Sequence, residues 1–471
     1  MAEFVGRQSQ LKSLEHLLDQ VRQGLGTGQP GQCVLVRGRR RVGKSRLLEE
    51  FCRQSGVPSV FFTAARQGER EPVLFADEVA NSDLPGRELF AEVTPDSWDS
   101  ALRLLATALD DHTPVIVVID EFPYLVHDDG TVDAVFQKQW DRHLSKKPVL
   151  LVLVGSDLAM MEALTTHDRP FFQRGTEMIV PPLSPVETAD ILRCREAADA
   201  FDTYLLTGGQ PLIANSWPRG ASMWKFLSVA LAEPTSPFIV SAERVLAAEF
   251  PVDALARQVL GQIGTDHVSF TRIARAAGGL QSASANRSLE LLTTKRLVAK
   301  ELPLSTMKSV EARYRITDPY LRFWLRFVGP HLGEIERGRS DLVIARIRRD
   351  WETWRGRAIE PVVREALQKL SPVVGLPPAA HVGGFWTRSN DPEIDIIGAD
   401  RTPIAGTIAY AGTIKWTGKA SITAADVQEL RSDLAFVPGA ADDLPIVAVS
   451  RSTVEARGVV ALGPDDLLAA W

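Results

Sequence analysis

Residues 38–45 read GRRRVGKS and follow the apolar run Cys33-Val34-Leu35-Val36 after one residue, Arg37. The run fills the pattern GxxxxGK[ST], and a strand that enters such a loop and leaves it as a helix is a phosphate cradle. Gly38 and Gly43 let successive backbone N–H groups converge on phosphate oxygens. Lys44 reaches the terminal phosphates, and the Ser45 hydroxyl is placed to hold Mg²⁺. A helix opening at Lys44 adds its positive N-terminal end. Arg39, Arg40 and Arg41 add charge inside the loop that either favours a triphosphate or faces solvent or a partner. Val42 and Arg46 complete the segment that would surround the nucleotide.

The loop sets the expected class as α/β with a parallel sheet. Strand-like runs at 33–37, 58–63, 115–119, 149–154 and 177–180 alternate with helical patterns, as a doubly wound sheet requires. The run Val115-Ile116-Val117-Val118-Ile119 is apolar throughout, as expected of a strand buried on both faces. With 471 residues the chain has material for about three domains. Residues 1–182 read as a P-loop NTPase core and 183–250, helical with breaks at Gly208-Gly209 and 217–220, as a lid.

Residues 251–330 carry the pattern of a winged helix-turn-helix: helices near Leu260, over 270–277 and from Ser284, a Gly278-Gly279 turn, then strands near 297–302 and 313–316. Residues 331–471 read as a further α/β domain. Helical pattern runs from Arg322 to Arg349, and a last α/β segment opens at Glu352 with strand candidates at 382–386, 393–397, 404–409 and 445–449.

Apolar runs are too short to cross a bilayer and the N-terminal residues lack a hydrophobic signal core, so the cytoplasm is the expected location, with no membrane partner. Cys33, Cys52 and Cys194 are too scattered for a disulfide framework or a metal pair. The net charge of −6 hides unlike regions. Residues 287–357 hold 16 Lys/Arg against 9 Asp/Glu, a net +7, while 358–471 hold 9 against 14, a net −5. A polyanion would meet the middle section, unless that section is a solvated arginine-rich face.

Asp120 and Glu121 end the strand VIVVIDE, at the sheet edge from which the phosphate loop emerges. Asp120 would bind Mg²⁺ through water and Glu121 would orient the attacking water, which makes ATP and Mg²⁺ the expected ligands.

With these residues in view the chain resembles the archaeal-type P-loop ATPase family of the AAA+/STAND group. The resemblance is carried by FVGR at 4–7, GRRRVGKSRL at 38–47, DEFPYL at 120–125, VGSDLAMME at 154–162, TGGQP at 207–211 and YRITDPYLRFW at 314–324. It implies Gly6 and Arg7 near the adenine, Ser156 as a sensor beside the γ-phosphate, and Gly209 to Pro211 as the lid's nucleotide contact. Plainer readings stand beside these: a turn before the first helix, a cap for the helix after Ser156, and a helix break. Arg174 would either sense phosphate or pair with a surface carboxylate.

A winged helix offers its second helix to the DNA major groove. Asn286 and Arg287, after Ser282 and Ser284, would face bases, while Lys295, Arg296 and Lys300 would meet phosphates. The same module can instead only pack against a nucleotide domain.

The C-terminal segment resembles the restriction-endonuclease-like domain that often ends this family, through GRAIEPVVREAL at 356–367, VGGFWTRSNDPEIDIIG at 382–398 and GTIKW at 412–416. Glu360, Asp395 and Lys415 match three positions of a nuclease site, but Thr413 stands where an acid is expected. Glu393 and Glu429 are the acids that could compensate. Three functions follow as expectations: a Mg²⁺-dependent ATPase that repositions the winged helix and nuclease-like domain on DNA, a nucleotide-gated switch for protein partners, and an ATP-governed nuclease.

Overall fold

The computed structural model describes residues 4–471 apart from 27, 165–173, 251–254, 265–267, 278, 280, 373 and 419. The Gly278 half of the expected glycine turn therefore lies outside the described residues. The chain divides into two compact units, Met1–Leu183 and Ser184–Trp471.

In the first unit, strands β1 (Gln32–Arg37), β2 (Ser59–Thr63), β3 (Val115–Asp120), β4 (Val149–Gly155) and β5 (Thr176–Ile179) form one parallel sheet in the order β2-β3-β4-β1-β5. Each lies within about a residue of its expected span. The apolar runs divide by parity, because successive strand side chains point to opposite faces. Leu35, Val117, Ile119, Leu151 and Leu153 enter one core. Val34, Val36, Ile116, Val118, Val152 and Val154 enter the other. Parallel pairing places the carboxyl ends of β1, β3 and β4 on one edge of the sheet, the edge from which Gly38, Glu121 and Ser156 follow.

The second unit opens with five helices between Pro185 and Glu249. Next come helices Leu255–Ile263, Phe270–Ala276 and Ser282–Thr294, interleaved with β6 (Val268–Ser269), β7 (Val298–Glu301) and β8 (Arg313–Ile316), an antiparallel sheet in the order β6-β8-β7. Helix Ser340–Leu370 leads into β9 (His381–Trp386), β10 (Glu393–Ala399), β11 (Ile408–Lys415), β12 (Ile446–Ser450) and β13 (Val460–Leu462), ordered β13-β12-β11-β10-β9. β9 to β11 run antiparallel, and β11 to β13 parallel.

The structure corrects the sequence reading here in three places. The strand expected at 404–409 is β11, displaced to Ile408–Lys415. Pro403 has no N–H to give a ladder, and Asp400 Oδ1 accepts the N–H groups of Gly406 at 2.8 Å and Thr407 at 3.0 Å, closing a loop there. β13, a short edge strand with one buried residue, gave no alternating pattern to read. Glu352, expected to open the last α/β segment, lies inside a helix that begins at Ser340.

The loop between β7 and β8 does not stand free. The N–H groups of Leu304 and Thr306 donate to the carbonyls of Gly384 and Pro438 at 2.9 and 3.1 Å, and Ser305 O accepts from Ala405 at 2.9 Å. Leu304 is buried in one core with Ile394 and Ile397 of β10. Trp386 Nε1 donates to Glu311 O at 2.8 Å. This loop is thus part of the C-terminal sheet's own packing.

Candidate nucleotide site

The loop after β1 is shaped by close backbone approach. A Cβ on Gly38 would lie 2.5 Å from Val180 O, so a larger residue cannot sit there without displacing the backbone beside β5. Arg41 and Gly43 take left-handed conformations, φ 67° and 90°, of the kind from which anion-binding concavities of backbone N–H groups are built. Helix Lys44–Ser55 then starts at Lys44 as expected. Such a concave run of backbone donors at a helix start suits a phosphate chain.

Lys44 is 6% exposed, and its Nζ donates to the carbonyls of Gly38 at 2.9 Å and Arg39 at 3.2 Å. Burial lowers its pKa, while Glu121 and Asp120 oppose that shift. A buried cation folded over its own loop is charge held ready for an anion. Ser45 Oγ donates to Asp120 Oδ2 at 2.6 Å, and Asp120 Oδ1 accepts from the Glu121 N–H at 2.9 Å. Hydroxyl and carboxylate together form the oxygen-rich donor set that Mg²⁺ prefers.

Glu121 adopts φ 54°, which costs a non-glycine residue about 1 kcal/mol. Ser156 Oγ donates to Glu121 Oε2 at 2.9 Å and Oε1 at 3.2 Å. Ser156 does not cap the following helix: Asp157 does so, its Oδ1 accepting from Met160 N at 3.0 Å. Gly155 ends β4 where a Cβ would lie 2.7 Å from Pro123 Cγ, so the chain carrying Ser156 passes close to the segment after Glu121.

Gly6 and Arg7 both have positive φ, 80° and 64°, directly before helix Gln8–Gln23. Arg7 is 3% exposed, and its guanidinium donates to Val42 O at 2.7 Å and Pro181 O at 2.6 Å. It pins the phosphate loop to the segment after β5. Arg46 is exposed and pairs with Glu49 at 3.3 Å. Arg174 pairs with Asp141 at 2.9 Å, the plainer of its two readings.

Sequence reasoning missed Tyr124, whose hydroxyl accepts from Arg40 Nη2 at 3.1 Å and whose ring lies 4.2 Å from the Arg66 guanidinium carbon. The motif DEFPYL was visible, but no spacing rule pointed Arg66 at it.

The remaining predicted residues belong to the second unit. Gly209 (φ 65°) and Pro211 sit where helix Pro211–Ser216 begins. A Cβ on Gly208 would meet Asp318 Oδ1 at 2.7 Å and the Tyr320 N at 3.0 Å, and Gln210 Nε2 donates to Asp318 Oδ2 at 3.0 Å. The motifs at 207–211 and 314–324 thus form one joint. Asn286 and Arg287 are exposed on helix Ser282–Thr294; Lys295 is half-buried with its Nζ 5.6 Å from the Phe250 ring centre, and Arg296 ends the helix at φ 56°.

Glu360 and Asp395 interact, and the Asp395 charge helps raise the pKa of Glu360. Burial and Asp395 push Glu360 up to about 7 despite Arg364, and burial raises Asp395. Asp395 Oδ2 accepts from Thr413 Oγ1 at 3.1 Å and from the Ile414 N–H at 2.8 Å. Lys415 is paired instead with Asp426 at 2.6 Å. Glu393 is held by Arg313 at 2.8 Å, and Glu429 is exposed on helix Ala424–Leu434. Among the described residues no group of three or more His, Cys, Asp or Glu is placed to hold a metal.

Comparison with known proteins adds the following. Residues 324–427 match the family DUF234, archaeal and bacterial proteins of unknown function. An uncharacterized protein of Methanocaldococcus jannaschii is 23% identical over 405 residues, covering 84% of each chain. Among solved structures, a Walker-type ATPase of Pyrococcus abyssi has a TM-score of 0.47 at 18% identity, covering 68% of this chain and 96% of that one. The ORC2 protein of Aeropyrum pernix, solved in ADPNP–ADP complexes, has 0.43 at 14%, covering 74% and 98%. The ORC1 protein of the same organism, solved with DNA, has 0.35 at 16%, covering 74% and 95%.

No helix among the described residues is long and apolar enough to cross a membrane.

Proposed function

We propose that the first unit binds ATP and hydrolyses it with Mg²⁺, and that its nucleotide state governs how the second unit engages DNA. The observation that carries this reading is the 2.6 Å contact between Ser45 and Asp120, two residues 75 positions apart that close a cation's ligand set beside a phosphate cradle. Ser45 and Asp120 would hold Mg²⁺, which when bound would supply positive charge beside the phosphate oxygens. Lys44 exchanges the carbonyls of Gly38 and Arg39 for phosphate oxygens. Glu121 accepts a hydrogen bond from the water whose oxygen attacks the γ-phosphorus. Ser156 fixes the Glu121 carboxylate, and Arg7 holds the loop in its binding shape.

The three helices and three-stranded sheet between Leu255 and Ile316 support a winged-helix reading, with exposed Asn286 and Arg287 as the residues offered to bases and Lys295 and Arg296 to phosphates. One observation favours the alternative, a nucleotide-gated switch for protein partners: the β7–β8 loop that would serve as the wing is bonded into the C-terminal sheet. A nuclease output is disfavoured by Thr413 on Asp395 and by Lys415 on Asp426.

ATP turnover by the full chain with and without duplex DNA tests both parts. Loss of turnover in Lys44→Ala and stimulation by DNA that disappears in Arg287→Glu are the expected results. Turnover equal to wild type in Lys44→Ala would sink the enzyme reading. Turnover indifferent to DNA, with no duplex binding at low salt, would leave the switch.

A further inference from the structure

The second unit contains a cavity of about 910 Å³ bounded by helices Ala197–Thr207, Met223–Ala230 and Ser340–Leu370. That volume lies in the range of small-molecule sites, roughly 300–1,000 Å³. Its wall is unusually rich in guanidinium groups: Arg193, Arg195, Arg219, Arg348, Arg355 and Arg451 stand against three carboxylates, Asp199, Asp202 and Glu352.

Two of the three carboxylates are already engaged. Asp202 is 3.0 Å from both Arg355 and Arg451, and Glu352 is 2.7 Å from Arg355. Arg193 and Arg195 are exposed and make no ion pair among the described residues. Arg355 is 3% exposed, and its Nε has no hydrogen-bond partner among the described residues. The wall therefore holds more guanidinium groups than carboxylates, with Arg193 and Arg195 outside its ion pairs.

Its other component is aromatic. Trp224 and Trp351 meet edge to face, with ring centres 6.2 Å apart. Arg348 lies over the Trp224 ring, its guanidinium carbon 4.4 Å from the centre. Guanidinium groups bind phosphate oxygens bidentately, and an indole or a planar guanidinium accepts a stacked base. An acidic peptide would use the arginines but leave the indole without a role.

We propose that this cavity is a nucleotide-unit site, separate from the phosphate loop, in which Arg193, Arg195 and Arg348 take phosphate and Trp224 stacks a base. The unit arrives either as a free nucleotide or as one residue of a single strand. The site does not depend on the ATP-hydrolysis reading, since all its residues lie in the second unit.

The test measures binding of fluorescein-labelled (dT)8 to the full chain by anisotropy, with dTMP, inorganic phosphate and a poly-glutamate peptide as competitors. Expected is saturable binding that weakens at least tenfold in Trp224→Ala and in Arg348→Glu, stays near wild type in Trp224→Phe, and is unchanged in Arg287→Glu. Competition by dTMP as strong as by unlabelled (dT)8 identifies a free nucleotide, whereas much weaker competition identifies a strand. Thermal midpoints near wild type and unchanged ATP turnover in the same variants exclude misfolding as the cause. Absence of saturable binding of either probe up to about 1 mM would overturn the proposal. So would equal affinity in Trp224→Ala, loss through Arg287→Glu alone, or displacement by poly-glutamate as effective as by (dT)8.

Discussion

The Ser156 hydroxyl donates to the Glu121 carboxylate at 2.9 Å, joining the end of β4 to the end of β3. Glu121 is itself held in a left-handed backbone conformation, so both its main chain and its side chain are constrained. A strained acidic residue restrained by a neighbour is the arrangement expected where a water must be positioned.

Replacing Glu121 by Gln keeps size and the hydrogen bond to Ser156 but removes the acceptor charge. Steady-state kinetics should show kcat reduced by about 100-fold or more with little change in KM, since positioned acid–base groups contribute on the order of 10²–10⁴. Ser156→Ala leaves the carboxylate in place and frees its rotation. A smaller loss, about tenfold in kcat, is expected, and a larger loss than in Glu121→Gln would reverse the assigned roles.

Arg7 links Val42 and Pro181 through one buried guanidinium. Lysine has a single donor head and cannot reproduce that fork. Arg7→Lys and Arg7→Met should each destabilise the first unit by about 2–3 kcal/mol, the range for buried carbonyls stripped of a charged donor. Urea unfolding monitors this directly, and KM for ATP should rise in both variants. Unchanged stability in Arg7→Met would remove Arg7 from the loop's support.

How much of this was legible beforehand follows from the range of each interaction. The first sheet was readable because β1, β3 and β4 are buried on both faces and so must be apolar without interruption. Gly38, Lys44 and Ser45 were readable because one loop supplies them all. Arg7 was placed near the site, but its two carbonyl partners lie 35 and 174 positions away, and nothing local encodes them. Ser156 and its cap alternative differ by one residue, Asp157, and the turn geometry decides between them. In the second unit, the strands at 297–302 and 313–316 read as the wing, with nothing to show what the loop between them touches. Its backbone bonds to Gly384 and Pro438 depend on tertiary placement that hydrophobic periodicity does not carry.

Gly208 has φ 59°, and its missing Cβ makes room for Asp318 and Tyr320. Gly208→Ala adds left-handed strain of about 1 kcal/mol and a contact with backbone that cannot simply rotate away. The second unit should lose at least about 2 kcal/mol in chemical denaturation, while Gly220→Ala, at φ 72° with open space around its Cβ position, should lose only the left-handed strain of about 1 kcal/mol. Equal effects of the two substitutions would show that the joint between residues 207–211 and 318–320 is not a structural constraint.

Glu360 yields a pH prediction with a defined sign. Burial raises its pKa from 4.5 to about 7, with Arg364, Arg322 and Arg357 opposing and Asp395 reinforcing the shift. The folded state therefore holds a proton that the unfolded chain releases near 4.5. This contribution to stability is fully present below about 4.5 and is lost as pH rises through about 7. Asp395, raised by burial, acts in the same direction. Glu360→Gln removes one ionising group while keeping its shape, so the variant should gain on wild type as pH rises, by up to about 3 kcal/mol between the two limits. Urea denaturation from pH 5 to 8 measures the difference. A wild-type minus variant stability that is flat across that range, or that increases with pH, would mean that Arg364 keeps Glu360 ionised in the folded protein.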